Sequence, residues 1–449
     1  MELLAPAGGM EQLQAAVRFG ADAVYMAADK FGMRARAANF ALEDIPAAVA
    51  YAHAAGCKVH VTCNILMSPS DIDELPAFFR ELDAAGVDAL IIGDMGAFAL
   101  AREHAPHVEL HVSTQASVAN AAAARVWHSL GAKRVVCARE MSLADIARMR
   151  QDTPPDLEIE AFVHGAMCMA VSGRCLISSY LTGRSGNRGH CTQPCRWSYT
   201  LEEEKRPGVH FPIEQDGRGT FIMNAKDLNM IAHLDELRAA GVDSIKIEGR
   251  NKKAFYVASV VSAYRRALDG APLDEIIPEL EDVSHRPYGT GFYFGEPEQA
   301  ADYDGYEQQT MHVADVVSCC VAEEKAAEGE PHAIGVVAEA AGKGAPRGAG
   351  AVCAQGGVPA ASYWLVARCR NRFAEGDELE VLAPRQAVRN VEVKNLTWVG
   401  DPAIDDAEFV PSAVAVANRS CNLYRFEVPF DVEPGSFLRV RSFRRSARH

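Results

Sequence analysis

Through roughly its first 250 residues the chain alternates short apolar runs with Ala-rich stretches of helical period. The runs at 2–4, 23–26, 58–62, 89–92, 109–112, 134–137, 157–163 and 244–247 read as strands. The stretches at 12–19, 45–53, 75–84 and 143–149 read as helices between them. Five times a helical stretch closes on the same kind of phrase: FGADAVY, AAGCKVHV, AAGVDALII, LGAKRVV and AAGVDSIKI. In each, Gly caps a helix in the left-handed conformation and a strand starts one or two residues later. A βα unit repeated about eight times predicts an α/β fold, a (β/α)8 TIM-like barrel, in preference to a doubly wound open sheet.

Beyond these runs, FIMN (221–224) is a further short apolar stretch that makes the strand count eight or nine. Helical period continues over 254–268. A Pro/Gly-rich segment with several aromatics, SHRPYGTGFYFGEPEQ (284–299), marks a linker or an ordered arm. From His312 the pattern becomes period two, with runs at 313–319, 333–338, 362–369, 378–382, 389–396 and 412–416 punctuated by Gly and Pro. These predict a small antiparallel β-barrel. The expected domains are therefore a barrel at 1–283, a linker or arm at 284–311 and a β-rich domain at 312–449 ending in a basic tail, FLRVRSFRRSARH, expected to be merely solvated, with contact to nucleic acid as the alternative.

A chain of 449 residues with 49% hydrophobic and 23% charged residues is typical of soluble globular proteins. The formal net charge of -15 argues against any general affinity for nucleic acid or anionic membrane, so an anionic partner must be met by a local basic patch. No signal peptide and no bilayer-length apolar run is visible, which makes a cytoplasmic location the expectation. In barrels of this kind chemistry sits where strands end. Asn64, Asp94, Ser113, Gln115, Arg139, Glu140, His164, Glu248 and Arg250 stand at such ends. Of these, Asn64, Gln115, Glu140, His164 and Glu248 are the candidate catalytic residues.

The stretch at 160–197 holds four of the twelve cysteines, Cys168, Cys175, Cys191 and Cys195, spaced C-x6-C-x15-C-x3-C. Between Ala161 and Leu201 there is no Asp or Glu, yet there are four arginines, Arg174, Arg184, Arg188 and Arg196. Thiolates gathered beside arginines in a reducing compartment point to a metal centre. The spacing lacks the C-x2-C knuckles usual for zinc, which puts a 4Fe–4S cluster ahead of zinc. A nucleophilic cysteine paired with His164 or His190 is the rival reading and leaves three cysteines unexplained. A positive face for an anionic partner is available from three segments. They are Lys30, Arg34 and Arg36; the four loop arginines; and Lys246, Arg250, Lys252 and Lys253, of which Lys246 alternates with apolar residues and can instead point inward.

The run EAFVHGAMCMAVSGRCLISS resembles the motif of the collagenase-like peptidases, peptidase family U-thirty-two. The likeness extends over GADAVYMAADKFGMRARAANF, HVSTQASVAN, CARE, NRGHCTQPCRW, MNAKDL, KIEGRNKKAFYVASVVSAYRRAL, SHRPYGTGFYFG and RNRFAEGDELEVLAP. The Gly/Ala-rich segment at 340–359 departs from it. The resemblance implies one of two activities: a peptidase, as the family name records, or a hydroxylase of RNA or of the quinone pathway. In the hydroxylases the four motif cysteines, here Cys168, Cys175, Cys191 and Cys195, hold an iron–sulfur cluster. The RNA-modifying members take oxygen from prephenate, and those most similar over SHRPYGTGFYFG and the C-terminal domain hydroxylate the wobble uridine of tRNA to 5-hydroxyuridine. The partners so implied are a tRNA anticodon loop and a small dicarboxylate. A non-catalytic iron–sulfur scaffold for a partner enzyme is the third class. No HExxH, GxSxG or Ser/His/Asp set supports proteolysis.

Overall fold

The computed structural model describes residues 1–33, 38–168, 170–171, 174–197, 200–202, 210–212, 226–295, 306–322, 362–402 and 410–446. Strands β1 (Glu2–Pro6), β2 (Ala23–Met26), β3 (Lys58–Cys63), β4 (Ala89–Ile92), β5 (Glu109–Val112), β6 (Arg134–Val136) and β7 (Glu158–Ala166) pair in sequence order, all parallel. Three short strands follow. β8 (Thr200–Glu202) pairs with β9 (His210–Pro212), and β10 (Asp227–Asn229) runs antiparallel to the end of β7. β11 (Ser244–Ile247) then pairs parallel with both β1 and β7 and closes an eight-stranded barrel. Helices α1 (Met10–Phe19), α2 (Ile45–Ala54), α3 (Pro69–Ala84), α4 (Met95–His104), α5 (Ala121–Ser129) and α6 (Leu143–Gln151) follow the first six strands in turn. α7 (Ile177–Thr182) lies in the cysteine loop, α8 (Leu234–Ala239) precedes β11, and α9 (Ala254–Leu268) and α10 (Leu273–Glu281) follow it.

The recurring phrases work as their chemistry requires. Gly20, Gly56, Gly86, Gly131 and Gly241 all adopt φ between 73° and 105°, the left-handed region where a Cβ is strained. Helices cover the outside of the barrel strands and side chains fill the inside; β4 (ALII) is apolar and buried throughout. The extra strand expected at 221–224 lies outside the described residues, and β10 begins three residues beyond it.

The segment after α10 is an ordered arm. β12 (Tyr288–Gly289) pairs with β10, buried Arg286 donates through Nε to Asp227 at 3.0 Å, and His285 stacks on Tyr288. The chain divides into two compact units, Met1–Gln309 with Phe443–His449, and Thr310–Ser442.

The second unit is built on strands β13 (Tyr306–Val321), β14 (Tyr363–Cys369), β15 (Phe373–Ala374), β16 (Glu378–Leu382), β17 (Arg389–Glu392), β18 (Lys394–Gly400), β19 (Ser412–Ala413), β20 (Val416–Ala417), β21 (Leu423–Val428) and β22 (Phe437–Ser446). Eight of them form an antiparallel sheet in the order β17-β16-β22-β13-β14-β21-β18-β19, a half-barrel around a core that includes Val313, Leu365, Tyr424 and Phe426. The run expected at 389–396 is two strands, β17 and β18, and the run at 333–338 lies outside the described residues. The basic tail is not simply solvated. Its residues 437–446 are β22, and Arg439 is buried with Nε donating to Glu380 at 2.7 Å. Residues 438–441 alternate apolar residues with arginine, so Arg439 and Arg441, which look like part of a charge run, stand on a strand. Among the described residues no helix is long and apolar enough to cross a membrane.

Candidate active site

At the C-terminal ends of the barrel strands a cavity of about 500 Å³, counting its open mouth, is lined by residues of the first unit only. Asn64 follows β3, Gln115 follows β5, Arg139 follows β6, and Glu248 and Arg250 follow β11. Inside the barrel, Tyr25, Thr62, Phe162 and Lys246 form the floor and walls.

Asn64, Arg250, Arg139 and Lys246 are each held by neighbours. Asn64 Nδ2 donates to Ser113 Oγ at 3.1 Å, and its Oδ1 accepts from the Met33 N–H at 3.2 Å. Arg250 is buried and its Nη1 donates to Thr62 Oγ1 at 2.7 Å. Arg139 lies over the Phe162 ring, 3.8 Å from its centroid, donates to the Ala166 carbonyl at 2.9 Å and stands 3.6 Å from the Glu248 carboxylate. Lys246 sits over Tyr25 at 4.4 Å and bonds Glu160 at 2.8 Å. Three cations, with Glu248 and the deeper Glu160 as counter-charges, make this cavity a place for a small anion in an otherwise acidic protein.

Beneath the cavity the barrel is filled by charge. Arg134 bonds Glu2, Glu158 and Glu160, and Lys246 bonds Glu160 from the other side. Burial raises the Glu160 carboxyl, but Lys246 and Arg134 outweigh it and hold it down to about 2. Burial lowers Lys246 below its ordinary value against the pull of Glu160. Lys246 therefore faces inward and does not contribute to an outer positive face.

The strand-end residues do not all meet. Asn64, Gln115, Glu248 and Arg250 line the cavity; His164 and Glu140 do not. His164 is fully buried against Tyr256 and Tyr264 of α9 and against Tyr288, and burial lowers it to about 3. The cause is a register shift: Phe162 pairs with Lys246, but the next residue of β11, Ile247, pairs with His164. One extra residue on β7 turns His164 out of the barrel interior. Just beyond it, Gly165 has φ 99°, and a Cβ there would lie 2.4 Å from the Glu248 carbonyl oxygen. Only glycine lets β7 pass that close to the strand end carrying Glu248 and Arg250.

The cations assigned to a positive face divide likewise. Arg174, Arg184 and Lys253 are exposed. Lys252 donates to the Ser284 carbonyl and lies over Tyr256 and Tyr306. Lys30 pairs with Glu74. Arg188 is taken up by Asp71 at 2.6 and 3.0 Å, so it is not a free contact for RNA. Arg34, Arg36 and the Arg196 side chain lie outside the described residues.

In the cysteine loop Cys168 is exposed and Cys175, Cys191 and Cys195 are half-buried. Gly186 lies between two of them; a Cβ there would be 3.6 Å from Cys191 Cβ and 3.8 Å from the Cys175 carbonyl. Among the described residues no three His, Cys, Asp or Glu side chains are grouped to hold a metal. Four thiols on one loop supply the donor chemistry of a cluster, but in this structure their atoms do not close a ligand set.

Tyr25, Thr62 and Phe162 are cavity residues that the strand pattern leaves without a role, since all three lie within strands, where aromatic and alternating positions read as core.

Over residues 8–302 the chain matches the model for peptidase family U32, and over 353–439 the model for the C-terminal domain of that family. It is 41% identical over 317 residues to tRNA hydroxylation protein P1 of Bacillus subtilis (strain 168), covering 69% of this chain and 72% of that protein. It is 38% identical over 353 residues to tRNA hydroxylation protein P of Escherichia coli (strain K12), covering 68% and 77%. A collagenase of Porphyromonas gingivalis (strain ATCC BAA-308 / W83) is 35% identical over 313 residues, covering 66% and 74%.

Proposed function

The chain belongs to peptidase family U32, and we propose from that premise that it is an RNA-modifying enzyme that hydroxylates the wobble uridine of tRNA to 5-hydroxyuridine, with prephenate as hydroxyl donor. The observation that carries this reading is the cationic cavity at the barrel mouth, in a chain similar to proteins named for tRNA hydroxylation. Arg139 and Arg250 offer planar forks suited to carboxylates, and Lys246 adds a point charge at the floor. Glu248 keeps Arg139 turned toward the cavity. The amides of Asn64 and Gln115 present both donors and acceptors, as the edge of a uracil requires. Tyr180 is 90% exposed and Trp197 45% exposed on the thiol loop beside exposed Arg174 and Arg184. Such aromatic and arginine surfaces stack unpaired loop bases and meet phosphates.

Cys168, Cys175, Cys191 and Cys195 are the proposed ligands of a 4Fe–4S cluster, with zinc as the other metal that thiolates accept. Such a cluster supplies one-electron chemistry when bound. The support is the donor set and its single loop.

Peptidase action lacks a matching constellation among the described cavity residues. Ser113 bonds Asn64 and no histidine lines the wall.

The test is prephenate binding and wobble-uridine hydroxylation by wild type, Arg139→Ala and Arg250→Ala at matched protein levels. Loss of a charged hydrogen-bond partner predicts weakening by at least about tenfold in each variant. Unchanged binding and hydroxylation in both overturns the assigned cavity. Metal analysis of Cys191→Ser tests the ligand set, since iron retained at the wild-type stoichiometry contradicts it.

A further inference from the structure

The thiol loop and the cavity wall meet at one two-residue step, Asn187–Arg188. The Asn187 carbonyl accepts from the Leu66 N–H at 2.9 Å, and its Oδ1 accepts from the Cys175 N–H at 3.0 Å. Arg188 donates from Nη1 to the Leu66 carbonyl at 3.0 Å and grips both oxygens of Asp71. Leu66 lies two residues beyond Asn64, the cavity residue bonded to Ser113. Asp71 sits in the first turn of α3, where it also completes a capping box with Ser68. A short connected path of hydrogen bonds therefore runs from the cavity wall to Cys175, with Cys191 on the other side of Gly186.

The acid-free composition of the loop explains why the pair spans 117 residues of sequence. Arg188 finds no carboxylate between Ala161 and Leu201 and takes one from α3. Bidentate arginine–carboxylate pairs are among the stronger and more directional surface contacts, and only 14% of the Asp71 side chain is exposed.

We propose that Arg188 is a positioning residue, a latch that fixes the thiol loop against the Asn64-bearing turn of the cavity. This rests on the reading that the thiols and the cavity serve one active site. The latch accounts for an arginine that looks, in sequence, like a phosphate contact. It also ties the loop that would carry a cluster to the wall that would hold the substrate.

The test uses the full chain, metal-free, and reads the alkylation rates of Cys175 and Cys191 by iodoacetamide with peptide mass spectrometry. RNA affinity is measured on the same samples with a tRNA anticodon stem-loop. Arg188→Ala and Asp71→Asn are compared with wild type. Ser68→Ala, which breaks the capping box and leaves the pair, is the control for α3, and exposed Cys320 and Cys421 are internal controls. The latch predicts that both pair variants raise alkylation at Cys175 and Cys191 by about fivefold or more. Ser68→Ala and the control cysteines stay at wild-type rates. The opposite pattern overturns it: alkylation unchanged in Arg188→Ala with RNA affinity reduced, and affinity unchanged or raised in Asp71→Asn. If Asp71→Asn does not fold, as judged by its thermal midpoint, Arg188→Ala decides alone by the same two readings. Failure of the hydroxylation reading shows separately, as no 5-hydroxyuridine formed by a wild-type protein whose loop is protected.

Discussion

Glu160 keeps its charge in the middle of the barrel because Lys246 and Arg134 reach it from two strands. The same interior holds His60 and His111 edge to face, 4.9 Å between ring centroids, each fully buried. Burial lowers His60 to about 4 and His111 well below its ordinary value, as it lowers His164 to about 3. These histidines are neutral in the fold, whereas in the unfolded chain they bind protons near pH 6.5. Below that pH the unfolded state holds more protons, so stability falls as the pH drops from about 6.5 through about 4. Glu2 and Glu160, both held down to about 2, add a second loss from about pH 4.5 downward. The thermal midpoint measured from pH 8 to pH 4 is expected to decline from about pH 6.5; a midpoint flat between pH 7 and pH 5 contradicts this. Sequence placed Asn64, Gln115, Glu248 and Arg250 at the mouth because each stands within three residues of the end of a strand-like run. It could not place His164, since the bulge that turns it outward depends on pairing with β11. Nor could it give Arg188 its partner, 117 residues away on α3.

At the scale of elements, β7 determines the site. It forms the cavity wall through Phe162, carries buried His164 on the α9 side, and continues past the barrel to pair with β10. Gly165 permits this by passing the end of β11 closely. Gly165→Ala is expected to part the two strand ends, destabilise the chain by at least about 2 kcal/mol and displace Glu248 and Arg250. Urea unfolding and prephenate binding check it, and a variant equal to wild type in both removes the close-approach argument. The eight barrel strands were legible because each βα unit repeats the same Gly-capped phrase. β21 and β22 were not, because charged residues, Arg425 and Glu427 in the one and Arg439 and Arg441 in the other, stand between their apolar positions and mask the period of two. β10 and β12 are too short for any pattern; β10 exists through pairing to β7, and β12 through pairing to β10.

For the whole molecule, a formal net charge of -15 repels RNA at long range, so recognition must be local. Arg174, Arg184 and Lys253 are exposed members of the predicted face, as is Lys30, which pairs with Glu74. This surface, the thiol loop and the cationic cavity together form the proposed hydroxylase. Its most direct test is gain of function in a host whose tRNA lacks 5-hydroxyuridine, expressing this chain with protein and iron content verified. Nucleoside mass spectrometry is predicted to find 5-hydroxyuridine with the wild-type chain, and little or none with Arg250→Ala at the same protein level. Absence of 5-hydroxyuridine with folded, iron-containing wild type, or equal amounts with Arg250→Ala, would contradict the account.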